Sequence, residues 1–212
     1  MPDLTLFHTA QIHVETFNRL APEAQLAHEV RPDWLARAQT GIDAALEQEI
    51  TSTIAKTKGP RLCSCTTIGE LAEAAGATRI DWPMMQAAAR MSGQTGAPVM
   101  MAYCLNSTLA PSTELLRRAF AETGQKADIH PLDLTALWPL FEAGDTRAFA
   151  AAIAQAITTR QKDHPKAKAV VLAQASMAAA QAELQARLPI PTLSSPEIAL
   201  QCLLPTSANH KD

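Results

Sequence analysis

Short apolar runs and long alanine-rich amphipathic stretches take turns along this chain. LTLF (4–7), AQLAHE (24–29), RLCSC (61–65), PVMMAYC (98–104), ADIHPL (127–132), AVVLA (169–173) and PTL (191–193) have the length and composition of strands. Between them, apolar residues recur at helical spacing near 34–57, 69–76, 83–93, 111–123, 145–162 and 176–187. Strands that alternate with helices read as βαβ units, so the expected class is α/β with a mainly parallel sheet.

The pattern also repeats weakly. LCSCTTIGELAEA (62–74) and VLAQASMAAAQAE (171–183) share an apolar strand, a small polar turn and an alanine-rich helix. Cys65 and Gln174 then hold matching places, 174 − 65 = 109 residues apart. LTLFHTA (4–10) and VMMAYCL (99–105) match more loosely. Two similar lobes explain both echoes, with boundaries expected at 1–95 plus 188–212 for the first and 96–187 for the second. Ligands of open α/β sheets bind at the carboxyl ends of strands, so the expected site lies in a cleft that both lobes share.

Composition removes several function classes. The 212 residues are enough to bury a real core, with 47% hydrophobic and 18% charged residues. A net charge of −3 and no basic block argue against nucleic acid, and five Phe, three Trp and one Tyr leave little for stacking on bases. No run of about 18 apolar residues appears, so no membrane span is expected. MPDLTLFHTA lacks the basic and apolar regions of a secretory leader, which makes the cytoplasm the default location. In that reducing compartment Cys63, Cys65, Cys104 and Cys202 are expected as free thiols. The polar SANHKD end is expected to fray. Neither GxGxxG nor GxxxxGK[ST] occurs, so dinucleotide and P-loop readings lack their carriers.

The chemistry centres on RLCSCTTIGELAEAAG (61–76). Cys-x-Cys supplies too few ligands for zinc, and a Cys63–Cys65 bridge would be strained, so no metal is expected. Strand alternation sends Cys63 and Cys65 to one face and Ser64 to the other. At the tip, N–H groups of Thr66, Thr67 and the helix start are expected to lower the Cys65 thiol pKa and to cradle a carboxylate. The bland reading, Cys65 as a small buried residue, stays open on the local sequence.

CSCTTIGE resembles the first cysteine motif of the aspartate/glutamate racemase superfamily, and VVLAQASMA (170–178) resembles the second motif of one of its branches. FHTAQIHVETFNRL, HEVRPDWL and YCLNSTLAPSTELL extend the resemblance in order along nearly the whole chain. It implies two α/β lobes, no cofactor, a small carboxylate substrate and compatibility with a homodimer. In such racemases two cysteines face each other across the substrate. One takes the proton alpha to a carboxylate and the other returns it. Related decarboxylases use one cysteine to protonate an enediolate, and maleate isomerases use one as nucleophile. By position the resemblance makes Cys65 the first catalytic cysteine, with Thr9, Thr66, Thr67, Ser107, Thr108, Ala175 and Ser176 as substrate contacts.

One position departs from the pattern. The second cysteine is replaced by Gln174, whose amide neither gives nor takes a proton near neutral pH but can orient a carboxylate or carbonyl. The symmetric two-thiol reaction therefore loses support, while racemisation or isomerisation, a one-thiol decarboxylase, a maleate-isomerase-like enzyme and a non-catalytic carboxylate binder all stay open. Cys104, His8 and His13 are the other candidate proton carriers, each with a structural reading beside it. Arg79 is a candidate carboxylate clamp or the partner of Asp81 in an ion pair that fixes its loop. Ser194 begins a capped helix and has a smaller claim on the site.

Overall fold

A computed structural model describes residues 1–93 and 96–204, so the SANHKD end lies outside the described residues. Two separate sheets form. The first holds β1 (Leu4–His8), β2 (Leu26–Val30), β3 (Arg61–Cys63) and β4 (Thr78–Arg79), all parallel, in the order β2-β1-β3-β4. The second holds β5 (Val99–Tyr103), β6 (Ile129–Asp133), β7 (Ala169–Leu172) and β8 (Thr192–Ser194), also parallel, in the order β6-β5-β7-β8. The expected α/β class with two similar parallel sheets is borne out. β1 and β5 are buried along their whole length, which is why they read as unbroken apolar runs. Among the described residues no helix is long and apolar enough to cross a membrane.

Contacts divide the chain into Met1–Ile80 with the chain from Pro196, and Asp81–Ser195. The expected boundaries put 81–95 and 188–195 with the first lobe instead. Pairing and packing decide otherwise. β8 hydrogen-bonds to β7, and the Trp82–Gly93 helix packs on the Asn106–Glu122 helix and on β7.

In the first unit, Phe7, Trp34, Leu46, Ile50, Ile54 and Ile68 build the core on one face of the sheet. Phe7 and Trp34 stack with ring centroids 6.4 Å apart. The single helix expected over 34–57 is two, Pro32–Ala38 and Ala44–Lys56. Gly41 breaks it with φ +123°, and the Asp43 carboxylate caps the second helix by accepting from Leu46 N–H at 2.7 Å. At the rim, Glu49 accepts from Trp34 Nε1 at 3.0 Å, from Arg37 at 2.7 Å and from Arg31. These three donors, Trp34 first, hold the Glu49 carboxyl down at about 2.

In the second unit, Met100, Phe149, Ile153, Val170, Leu172 and Met177 lie in one buried cluster. The helix expected to open at Pro111 starts at Asn106 and carries Pro111 inside it, which costs one amide donor. The helix expected over 176–187 splits into a 3-10 segment, Ala175–Ala180, and an α-helix, Gln181–Arg187.

Candidate functional site

Parallel strands aim their carboxyl ends one way, so the residues that follow β1 and β3 meet at one edge of the first sheet. Thr9 comes one residue after β1 and Cys65 two residues after β3. There the hydroxyls of Thr9 and Thr67 and the peptide N–H groups of Ile68 and Thr67 hydrogen-bond to the Cys65 sulfur. Cys65 is 8% exposed. The expected downward shift of its pKa is corrected: burial, the largest influence, pushes the thiol up despite four donors. Desolvation of a thiolate outweighs what short-range donors return, so the resting sulfur carries its proton. Thr66 is buried in the same turn. Cys63 lies in the same buried cluster as Cys65, and its thiol donates to Cys65 O at 3.6 Å. All four cysteines are unbridged.

Ser64 faces the other way, as alternation requires, and joins a polar chain. His8 Nδ1 lies 2.7 Å from Ser64 Oγ, His8 Nε2 lies 2.9 Å from His28 Nδ1, and His28 Nε2 lies 3.0 Å from Asn18 Oδ1. Burial, with His13 and His28 adding repulsion, lowers His8 to about 3. Burial alone lowers His13 to about 4. Both rings are therefore neutral near pH 7 and do not serve as resting proton donors in imidazolium form. His8 instead ties the core of β1 to β2 and to the strand tip that carries Cys65.

Behind that tip, Arg79 is 4% exposed and its guanidinium lies over Gly69. A Cβ at 69 would stand 2.9 Å from Arg79 Nε, so any larger residue at the start of the Gly69–Ala74 helix requires this guanidinium to shift.

The second sheet repeats the corner with other residues. Cys104 comes one residue after β5, as Thr9 does after β1. Gln174 comes two residues after β7, as Cys65 does after β3. Gln174 Oε1 accepts from Cys104 N–H at 2.6 Å and from Leu105 N–H at 3.2 Å. The Cys104 thiol joins the apolar cluster, and burial together with the nearby Asp133 carboxylate pushes it up to about 12. This packing fits the structural reading of Cys104 as a core residue. Thr108 is buried, Ser107 half-buried and Ala175 buried, all close in sequence to this corner. The Ser176 hydroxyl is buried and has no hydrogen-bond partner among the described residues. Ser194 donates to Gln181 Oε1, a bond inside the second unit that leaves its hydroxyl committed.

Sequence reasoning missed the donors Ile68 N–H and Leu105 N–H. Backbone amides carry no side-chain signature, so only the expectation of a helix start after each strand pointed toward them. Among the described residues no group of three or more His, Cys, Asp or Glu is arranged to hold a metal ion.

Chemically, the first corner offers a protonated thiol ringed by donors, and the second an anchored carboxamide. Neither a protein-family model nor a curated protein matches the sequence. Solved structures do match. A glutamate racemase from Bacillus anthracis aligns with TM-score 0.65 and 13% identity, over 94% of this chain and 79% of that one. A glutamate racemase from Francisella tularensis, solved with D-glutamate, aligns with TM-score 0.59 and 13% identity, over 97% and 84%. Arylmalonate decarboxylase aligns with TM-score 0.53 and 12% identity, over 94% and 90%. The chain thus has the two-sheet α/β fold of the aspartate/glutamate racemase superfamily.

Proposed function

We propose that this chain is a cofactor-independent, isomerase-type enzyme acting at the carbon alpha to the carboxylate of a small acid, with Cys65 as its proton carrier. The observation that supports this most is the convergence of four donors on one buried thiol. Such donors serve two ends. They stabilise the thiolate that forms when the proton leaves, and they are of the kind that holds negative oxygen as an enediolate develops. The fold likeness to a glutamate racemase solved with D-glutamate supports a small carboxylate as substrate. By the resemblance, Thr9, Thr66, Thr67, Ser107, Thr108, Ala175 and Ser176 are the substrate contacts.

Two observations favour a one-thiol variant. Burial keeps Cys65 protonated, and by the resemblance Gln174 takes the place of the second cysteine in the sequence. In a decarboxylation of this kind, the bond from the alpha carbon to one carboxylate breaks and carbon dioxide leaves. The electron pair stays on the substrate as an enediolate. The Cys65 S–H then breaks, its proton goes to the alpha carbon, and the thiolate regains a proton from water. The decarboxylase among the structural neighbours supports this branch.

Incubation in deuterium oxide with glutamate, aspartate, hydantoins and malonates tests the proposal. The expected result is deuterium at the alpha carbon, lost in Cys65→Ser. Malonate decarboxylation without exchange into amino acids selects the one-thiol branch. Saturable binding without exchange or turnover overturns the enzyme reading and leaves a carboxylate-binding protein. Iodoacetamide labelling of Cys65 at a rate that no carboxylate changes overturns the site itself.

A further inference from the structure

We infer that Gln174 is a ligand-binding residue whose anchored carboxamide presents its N–H groups to a carboxylate or carbonyl oxygen. This rests on the functional reading above and specifies what the second sheet contributes.

The orientation of an amide side chain is usually ambiguous, because its oxygen and nitrogen look alike. Here two backbone donors remove the ambiguity. Cys104 N–H and Leu105 N–H both need an acceptor, and only the carbonyl oxygen of Gln174 supplies one. The planar amide then turns its NH2 group away from both. None of the hydrogen bonds that Gln174 makes among the described residues uses that group, in a side chain only 7% exposed. A polar group held so far inside with an open donor pair is costly unless something accepts from it.

The group that fits must be an acceptor. An N–H donor held in a fixed plane suits a carboxylate or carbonyl oxygen better than an amine or an apolar group. The residue at the same corner of the first sheet is Cys65, so each sheet offers its reactive or binding group two residues beyond an inner strand.

Gln174→Glu is the informative variant. It keeps an oxygen for both backbone donors, so the fold is retained, but replaces the NH2 by a negative oxygen. The Gln174 side-chain resonance in a nitrogen-15 NMR spectrum, assigned by its loss in Gln174→Glu, is followed while malonate, D-glutamate and L-aspartate are titrated. The expected result is a saturable shift with at least one acid, and binding of that acid weakened about tenfold or more in the variant. A resonance unmoved by all three at tens of millimolar overturns the inference. So does equal binding by the variant. Cys65 alkylation in the same samples separates the two claims. Protection of Cys65 with a silent Gln174 sinks this inference alone, whereas a responding Gln174 beside an unprotected Cys65 sinks the assignment of Cys65 and keeps the donor.

Discussion

The side-chain oxygen of Gln174 lies 2.6 Å from the amide nitrogen of Cys104, seventy residues earlier in the chain. This bond joins the ends of β7 and β5 and gives a buried donor its partner. Gln174→Ala leaves the Cys104 N–H without an acceptor, at an expected cost of about 1–3 kcal/mol. Urea unfolding measures it. An unchanged midpoint would mean that the donor finds water or another acceptor.

Thr9→Val removes a hydroxyl that lowers the Cys65 pKa while keeping the side chain's shape. With burial unchanged, the thiol moves still higher. Iodoacetamide rates measured against pH should show a midpoint above that of the wild type and slower labelling at any fixed pH below it. Thr67→Val should shift it the same way, since Thr67 also donates through its hydroxyl. A downward shift in either variant would contradict the hydrogen bonds described.

His8 binds no proton in the folded chain until about pH 3, whereas the unfolded chain takes one up near 6.5. Its contribution to stability is intact above about pH 6.5 and drains away as pH falls toward 3. The full loss is roughly 3–5 kcal/mol from this residue. Carbon-13 NMR should show a His8 ring that does not titrate between pH 8 and 4, and His8→Gln should flatten the acid limb of the thermal-stability curve. A ring that titrates near 6 would refute the buried neutral state.

Glu49 obeys the other half of the same rule. Its carboxyl titrates at about 2 when folded against an ordinary 4.5, so its bonds to Trp34, Arg37 and Arg31 stabilise the fold above 4.5 and are lost as pH falls toward 2. Glu49→Gln should reduce the fall in melting temperature between pH 5 and 2. Because the carboxylate is open to solvent, added salt should shrink the difference.

Gly69→Ala places a methyl group against the Arg79 guanidinium. Overpacking of this kind costs about 1–3 kcal/mol, and Arg79 must move to relieve it. The double variant Gly69→Ala/Arg79→Ala should be less destabilised than the two single changes added together. Strict additivity would show that the residues do not press on each other.

Much of this arrangement is legible before any coordinates. LTLF, PVMMAYC and AVVLA announce inner strands because both faces of each are covered. The turn after RLCSC announces a thiol at a strand tip. β4 escapes because two residues, Thr78 and Arg79, carry no periodicity. The break in the 34–57 helix depends on one glycine and one cap, which the surrounding helical spacing overrides by eye. The sign of the Cys65 shift escapes for a deeper reason. It is a contest between donors nearby in sequence and burial supplied by distant side chains, and only packing fixes the second. The Ser64–His8–His28 chain is invisible for the same reason, since its members stand 56 and 20 positions apart.

The division of the chain at Ile80 and Pro196 bears on how the molecule is made. Asp81–Ser195 is continuous and can close its sheet once β8 has left the ribosome. The earlier-made unit has all four of its strands synthesised before the segment from Pro196, in which Ala199 and Leu200 are buried, completes its packing. A nascent chain halted before that segment emerges should therefore resist proteolysis over its later half while its earlier half is still cut.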